Sequence, residues 1–255
     1  MFQNGYQAVC SAGVGKLRLL QKNPLGYFVS SMLAGMYVSL GSFIAFTLGQ
    51  AVSAGGVTSF VKLVQAIAFA SALSLVVMAG AELFTGNNFV MAAASIRKMV
   101  SWADTVKVWV VCWLGNLVGS ALSVIGFQLT GAPTASEGVV AAYFSSIAAG
   151  KVGYAPLPLI VRAIFCNILI CLAVWCGCKM KSESGKLIMI FWCILVFMGC
   201  GFEHCIANMS ILGVAVANGG ITVGQYFYNI LLATVGNVIG GAVFVALPYH
   251  IISKE

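Results

Sequence analysis

Two short stretches hold most of the residues in this chain that could do chemistry: AELFTGNNFV at 81–90 and CGFEHCIANMS at 200–210. Each places a glutamate five residues before an asparagine, Glu82 with Asn87 and Glu203 with Asn208, and the second adds His204 beside its acid. An imidazole exchanges protons near neutral pH, so His204 could protonate or deprotonate a small solute. An adjacent acid and histidine could also serve an enzyme as acid and base. No nucleophile constellation or metal-ligand cluster accompanies them, and Cys205 next to His204 does not supply one. Glu82 and Glu203 are read as hydrogen-bond acceptors for irregular backbone, because an acid facing a passing anion would repel it. No cofactor is implied.

The surroundings of these stretches narrow the choice. Of 255 residues, 61% are hydrophobic and 7% charged. Six apolar segments, at about 26–49, 58–95, 102–129, 156–178, 187–217 and 222–250, reach the roughly 20 residues that span a hydrocarbon core as helix. The expected fold is an all-α polytopic membrane protein forming one domain over 1–255. Residues 1–23 lack the order of a cleavable signal peptide and read as a cytosolic surface segment. The net charge of +7 fits topology better than nucleic acid. If every segment crosses once, Lys16, Arg18, Lys22, Arg97, Lys98, Lys107, Lys179, Lys181, Lys186 and Lys254 share one side, while Lys62 and Lys151 face the other. The positive-inside rule then puts both termini in the cytosol of a cell bounded by this membrane. The nine cysteines form no C-x-x-C pair and read as small packing residues.

Segments two and five are too long for simple crossings, and they are the two that contain the polar stretches. Superposing the stretches aligns Glu82 with Glu203 and Asn87 with Asn208, 121 residues apart, and the same offset pairs LGNLVGSAL (114–122) with VGNVIGGAV (235–243). A duplication of three segments follows, over about 26–129 and 156–250. Three is odd, so the copies enter the membrane from opposite sides, giving inverted repeats with broken helices near the midplane. Thr85, Asn87 and Asn208 are the expected caps of the restarting half-helices, whose N-H groups and positive dipole ends favour anions. Gly115 with Gly119 and Gly236 with Gly240 each form G-x-x-x-G, suited to close helix contact within one chain or between copies.

AELFTGN followed by GFEHCIANM, with RAIFCNILICLAVWCG between them, resembles the formate/nitrite transporter family along essentially the whole chain, and most of all its bacterial hydrosulfide channel branch. The resemblance implies an aquaporin-like six-helix fold with helices 2 and 5 interrupted. It also implies a homopentamer in which each protomer passes small monovalent anions or their conjugate acids (hydrosulfide, formate or nitrite) through the cytoplasmic membrane. By motif, His204 becomes the central histidine, flanked by Glu203 and Asn208. Leu83, Phe84 and Thr85 become a gate, with Phe84 and Thr85 facing His204. Phe69, Leu73 and Phe197 become apolar constrictions around a small chamber. Lys151, on an outer loop, would attract anions, and Asn167 would orient or assist the histidine.

A pore of phenylalanine and leucine repels a bare anion, because desolvating an unpaired charge costs many kcal/mol. The expected remedy is a proton shared at His204, which is expected to rest as neutral imidazole. A neutral-solute channel of aquaporin type would share the inverted repeats, but the paired Asn-Pro-Ala motifs expected there are missing.

Overall fold

A computed structural model describes residues 2–254, which are helical with no strand among them. The chain runs α1 (Phe2–Lys22), α2 (Pro24–Ala54), α3 (Val61–Ala79, entered through a 3-10 turn at Thr58–Phe60), α4 (Phe84–Ile96) and α5 (Trp102–Leu129). It continues through α6 (Ala135–Val152), α7 (Pro156–Lys179), α8 (Glu183–Gly199), α9 (Cys205–Ala217), α10 (Val223–Gly241), a π turn at Ala242–Ala246 and α11 (Leu247–Ile252). By length and composition, five helical spans among the described residues could cross a membrane, while α8 and α9 are each too short to do so alone. Leu40, Ile44, Val110, Ile125, Phe165 and Trp192 face outward, as lipid or a neighbouring copy would require.

Local chemistry sets the helix ends. The Asn23 side chain accepts the Gly26 N-H ahead of Pro24, Ser101 accepts that of Asp104, and Thr222 with Gln225 forms a capping box. Pro156 occupies the start of α7, where its missing N-H costs nothing.

Glycine decides how closely the long helices approach. A Cβ on Gly119 would overlap Met32 O and one on Gly240 would crowd Ile164 O, so α5 lies directly on α2, and α10 on α7. Both G-x-x-x-G pairs are therefore used inside the chain, a choice the sequence left open. Their partners repeat as well: Gly115 approaches Phe28 O, and Gly236 approaches Ile160 O.

Between α3 and α4, and again between α8 and α9, the helix stops and restarts. At the first break Gly80 takes φ 78°, and at the second Gly201 takes φ 69°. A side chain at either would be strained there. The freed groups are satisfied in the same way twice. Ala81 N donates to Val76 O and Glu82 N to Ser30 O; Phe202 N donates to Phe197 O and Glu203 N to Arg162 O. Irregular backbone inside an apolar protein persists only when its polar groups find such partners.

Two regions differ from the sequence-based expectation. The N-terminal segment is a full helix, α1, that buries Tyr6, Val9, Cys10, Gly13 and Leu17. The stretch before segment four folds as α6, which opens with a left-handed turn at Ser136–Gly138 and buries Ala141, Phe144 and Ala148. Neither has the apolar length of a crossing, so the search for long hydrophobic runs passed over both. The contacts that repeat extend into these helices, because α1 brings Lys16 to Glu82 and α6 brings Lys151 to Glu203.

Candidate functional site

The two breaks meet in the middle of the fold. Leu83 and His204 hold the N-cap positions of α4 and α9 in extended conformation. His204 caps its helix with its own ring: Nδ1 accepts the Ala207 N-H at 3.0 Å. Its other nitrogen, Nε2, lies 3.0 Å from Thr85 Oγ1, in the first turn of the opposite half-helix. Since Nδ1 is held as an acceptor, the proton of a neutral ring belongs on Nε2, where it donates to the threonine oxygen. The Thr85 hydroxyl hydrogen then remains free to donate elsewhere. The Phe197 ring stacks on His204 with centroids 6.0 Å apart, and Phe69 meets Phe197 edge-on at 5.7 Å.

Behind each break lies a matched polar cluster. Lys16 Nζ contacts both Glu82 oxygens at 2.8 Å, and Asn87 Nδ2 donates to Glu82 Oε2 and to the Tyr27 hydroxyl. In the other half, Lys151 Nζ contacts Glu203 Oε1 at 2.8 Å, and Asn208 Nδ2 donates to Glu203 Oε2 and Asn229 Oδ1. Each carboxylate is thus neutralised by a lysine and held by an amide, which suits a structural acceptor.

The half-helix N-termini are capped from outside. Asn116 Oδ1 on α5 accepts the Phe84 N-H at 3.0 Å, while its Nδ2 donates to Ser31 O and Glu82 O. Asn237 Oδ1 on α10 accepts the Cys205 N-H at 2.9 Å, while its Nδ2 donates to Ala163 O and Glu203 O. Thr85, Asn87 and Asn208 were expected in this role, and the structure corrects that. Their positions inside the first turn direct their side chains toward His204, Glu82 and Glu203 instead. The asparagines that do the capping were visible as the repeated G-N-x-x-G, but nothing in one sequence indicated that they reach across to another helix.

Other expected residues also move. Lys151 is in the last turn of α6, not on a loop, and its charge is already paired with Glu203. Asn167 does not reach the histidine; its Nδ2 donates to Asn237 O at 2.6 Å and to Asn88 Oδ1 at 3.1 Å, so it braces the capping asparagine. The Phe84 ring lies in the main apolar cluster and borders neither of the cavities described next, so only its backbone N-H joins the site. Lys16, Arg162, Tyr27 and Asn229 were missed; Lys16 had been read only for topology.

Two cavities approach this centre. One, of about 460 Å³, is bordered by Lys16, Ser30, Leu73, Glu82, Leu83 and Asn87. The other, of about 370 Å³, is bordered by Lys62, Lys151, Arg162, Phe197, Glu203 and His204. Leu73 and Leu83 thus border the first and Phe197 the second, with the buried Thr85 and His204 contact joining the two breaks. Phe69 borders neither and acts through Phe197.

The profile described as formate/nitrite transporter matches residues 3–251 of this chain. The chain belongs to the formate/nitrite transporter family. It is 36% identical to the nitrite transporter NirC of Escherichia coli strain K12 over 248 residues, covering 94% of this chain and 88% of that protein. It is 39% identical to a probable formate transporter of Methanothermobacter thermautotrophicus over 256 residues, covering 94% and 92%. Among solved structures, an FNT family ion channel superposes with a TM-score of 0.90 at 31% identity, covering 98% of this chain and 99% of that one. A pentameric formate channel with formate bound superposes with a TM-score of 0.75 at 27% identity, covering 89% and 96%. As a member of the formate/nitrite transporter family, the chain is a membrane transport protein and not an enzyme.

Proposed function

We propose that this chain conducts small monovalent anions, formate or nitrite, or their conjugate weak acids, through a path that joins the two cavities at His204. In this reading α3 with α4 and α8 with α9 each make one interrupted crossing, and with α2, α5, α7 and α10 they give six crossings in two inverted repeats. One contact supports the two-fold relation. Trp113 Nε1 donates to Thr234 Oγ1 at 3.0 Å, and these residues are 121 positions apart. Residues related by a two-fold meet only near its axis, and this pair sits as such a pair there would. The protein is then a homopentamer in the cytoplasmic membrane with both termini cytosolic, a reading supported by the pentameric neighbour and the basic residues on one side.

The observation that carries the functional reading is His204, joined to Thr85 between two cavities that each end at apolar residues. An anion crossing Leu73, Leu83 and Phe197 without a counter-charge meets a desolvation cost of several kcal/mol. Taking its proton from water at the His204 site, with the hydroxide left on the entry side and the ring staying neutral, it passes as a neutral acid. Leu83 and Thr85 form the gate, Leu73 and Phe197 the constrictions, and Phe69 supports Phe197. Glu82, Glu203, Asn208 and Asn167 hold the breaks in shape. The hydrosulfide reading rests on the motif resemblance alone, whereas the relatives above are named for nitrite and formate.

Reconstitution in liposomes tests this directly, by comparing influx of formate, nitrite, hydrosulfide and chloride with that of glycerol. Formate and nitrite flux that rises as pH falls is expected. Glycerol flux without weak-acid flux would overturn the reading.

A further inference from the structure

Arg162 lies in the second turn of α7, inside a span apolar enough to cross a membrane. A guanidinium at such a place is costly unless it is held, and is a candidate functional group for that reason. It is held by the second break: Nη1 donates to Gly201 O at 2.8 Å, and the guanidinium lies 4.3 Å over the Tyr154 ring. The Arg162 backbone carbonyl takes the Glu203 N-H as well. The residue therefore grips the break from both its side chain and its backbone.

The other half offers no such grip. Ser30 is the counterpart of Arg162, since its carbonyl takes the Glu82 N-H. A serine is too short to do as Arg162 does, and a Cβ built on Gly80 would meet nothing within 4 Å, where one on Gly201 would meet Arg162 Nη1 at 3.5 Å. The two breaks share their backbone design; besides Leu83 against His204 at the caps, they differ in this side chain.

Charge differs between the cavities in the same direction. The Glu82 side holds Lys16 and Glu82, which cancel. The Glu203 side holds Lys62, Lys151 and Arg162 against Glu203, and Lys151 is the partner of that glutamate. Among the described residues, Lys62 and Arg162 form no ion pair within 4.0 Å. The excess positive charge of this cavity therefore lies on Arg162 and Lys62, and not on the paired lysine.

We propose that Arg162 is a positioning residue that locks the second break through Gly201 and, together with Lys62, makes the Glu203-side cavity the one that concentrates anions. This rests on reading the cavities as the permeation path. It leaves the first break, with Leu83 and Thr85, as the one free to move.

The test uses R162Q, R162K and K62Q in liposomes, with nitrite influx followed at low and high ionic strength. Hydrogen exchange of the 200–204 amides is followed in the same preparations. At low salt R162Q raises the half-saturating nitrite concentration roughly 3- to 10-fold, and high salt shrinks the difference. R162K restores the half-saturation, because an ammonium keeps the charge. It does not restore slow exchange at 200–204, because lysine cannot donate to Gly201 while lying flat on Tyr154. K62Q shifts half-saturation alone. Wild-type half-saturation in R162Q, or wild-type exchange in both Arg162 variants, would overturn the proposal. If the wild-type protein carries neither nitrite nor formate, the transport reading fails, and exchange still decides whether Arg162 locks the break.

Discussion

Thr85 Oγ1 and His204 Nε2 lie 3.0 Å apart, each carried by a different helix break, while His204 Nδ1 is occupied by the Ala207 N-H. One imidazole thus does two jobs, capping α9 and presenting a single N-H to the opposite half of the fold. A second proton on Nδ1 would set two donors against each other at the cap.

Capping and the proposed protonation of substrate at the His204 site are therefore separable. In H204N the amide oxygen can still accept the Ala207 N-H, so thermal stability in detergent stays close to wild type. H204A loses the cap, at about 1 kcal/mol. Both variants lose the pH dependence of weak-acid influx. T85V, which keeps the shape of Thr85 without the hydroxyl, lowers flux several-fold. An unchanged pH profile in H204N would make the histidine a structural cap alone.

The Lys151 and Glu203 pair is more deeply buried than Lys16 and Glu82, with side-chain exposures of 16% and 2% against 21% and 12%. Removing one partner of a buried pair strands the other, so E203Q or K151M alone destabilises by roughly 3 kcal/mol or more. The double variant recovers part of that loss, and K16M or E82Q costs less. Thermal unfolding of the wild type, E203Q, K151M and their double variant forms the cycle, with K16M and E82Q measured beside it. Equal, small effects in single and double variants would mean that water screens Lys151 from Glu203.

Asn116 and Asn237 each satisfy one half-helix N-H and two carbonyls. N237A leaves the Cys205 N-H and the Ala163 and Glu203 carbonyls without that partner, at about 1–3 kcal/mol per stranded group. Amide exchange at Cys205 then accelerates, and N116A does the same at Phe84. Aspartate keeps the acceptor but sets a carboxylate oxygen against the Ala163 and Glu203 carbonyls in a buried site, so N237D is no more stable than N237A. Exchange that stays slow in N237A would mean another group takes the Cys205 N-H.

Much of the architecture was legible because the bilayer leaves so few options. Long apolar runs, two overlong segments and a repeated E-x-x-x-x-N at one offset follow from length and spacing, and a helix stops at each of the two polar stretches in the structure. Helices α1 and α6 were not legible, because neither is long and apolar enough to stand out as a span. The partners of Asn167 were not legible, because a motif aligns residues along the chain and does not say which neighbour an amide will reach.

The sequence by itself determined that this is a helical membrane chain of the formate/nitrite transporter kind, with Glu82, Glu203 and His204 at two interruptions. Hydrophobic length, periodicity and glycine placement are properties of neighbours along the chain. Only the tertiary structure decided that Asn116 and Asn237 cap the half-helices, that Lys16 and Lys151 neutralise the two acids, and that Arg162 grips one break and not the other. Each of these contacts joins a break to another helix packed against it, α5, α10, α1, α6 or α7. A polar side chain in an apolar interior takes whichever partner that packing brings within about 3 Å.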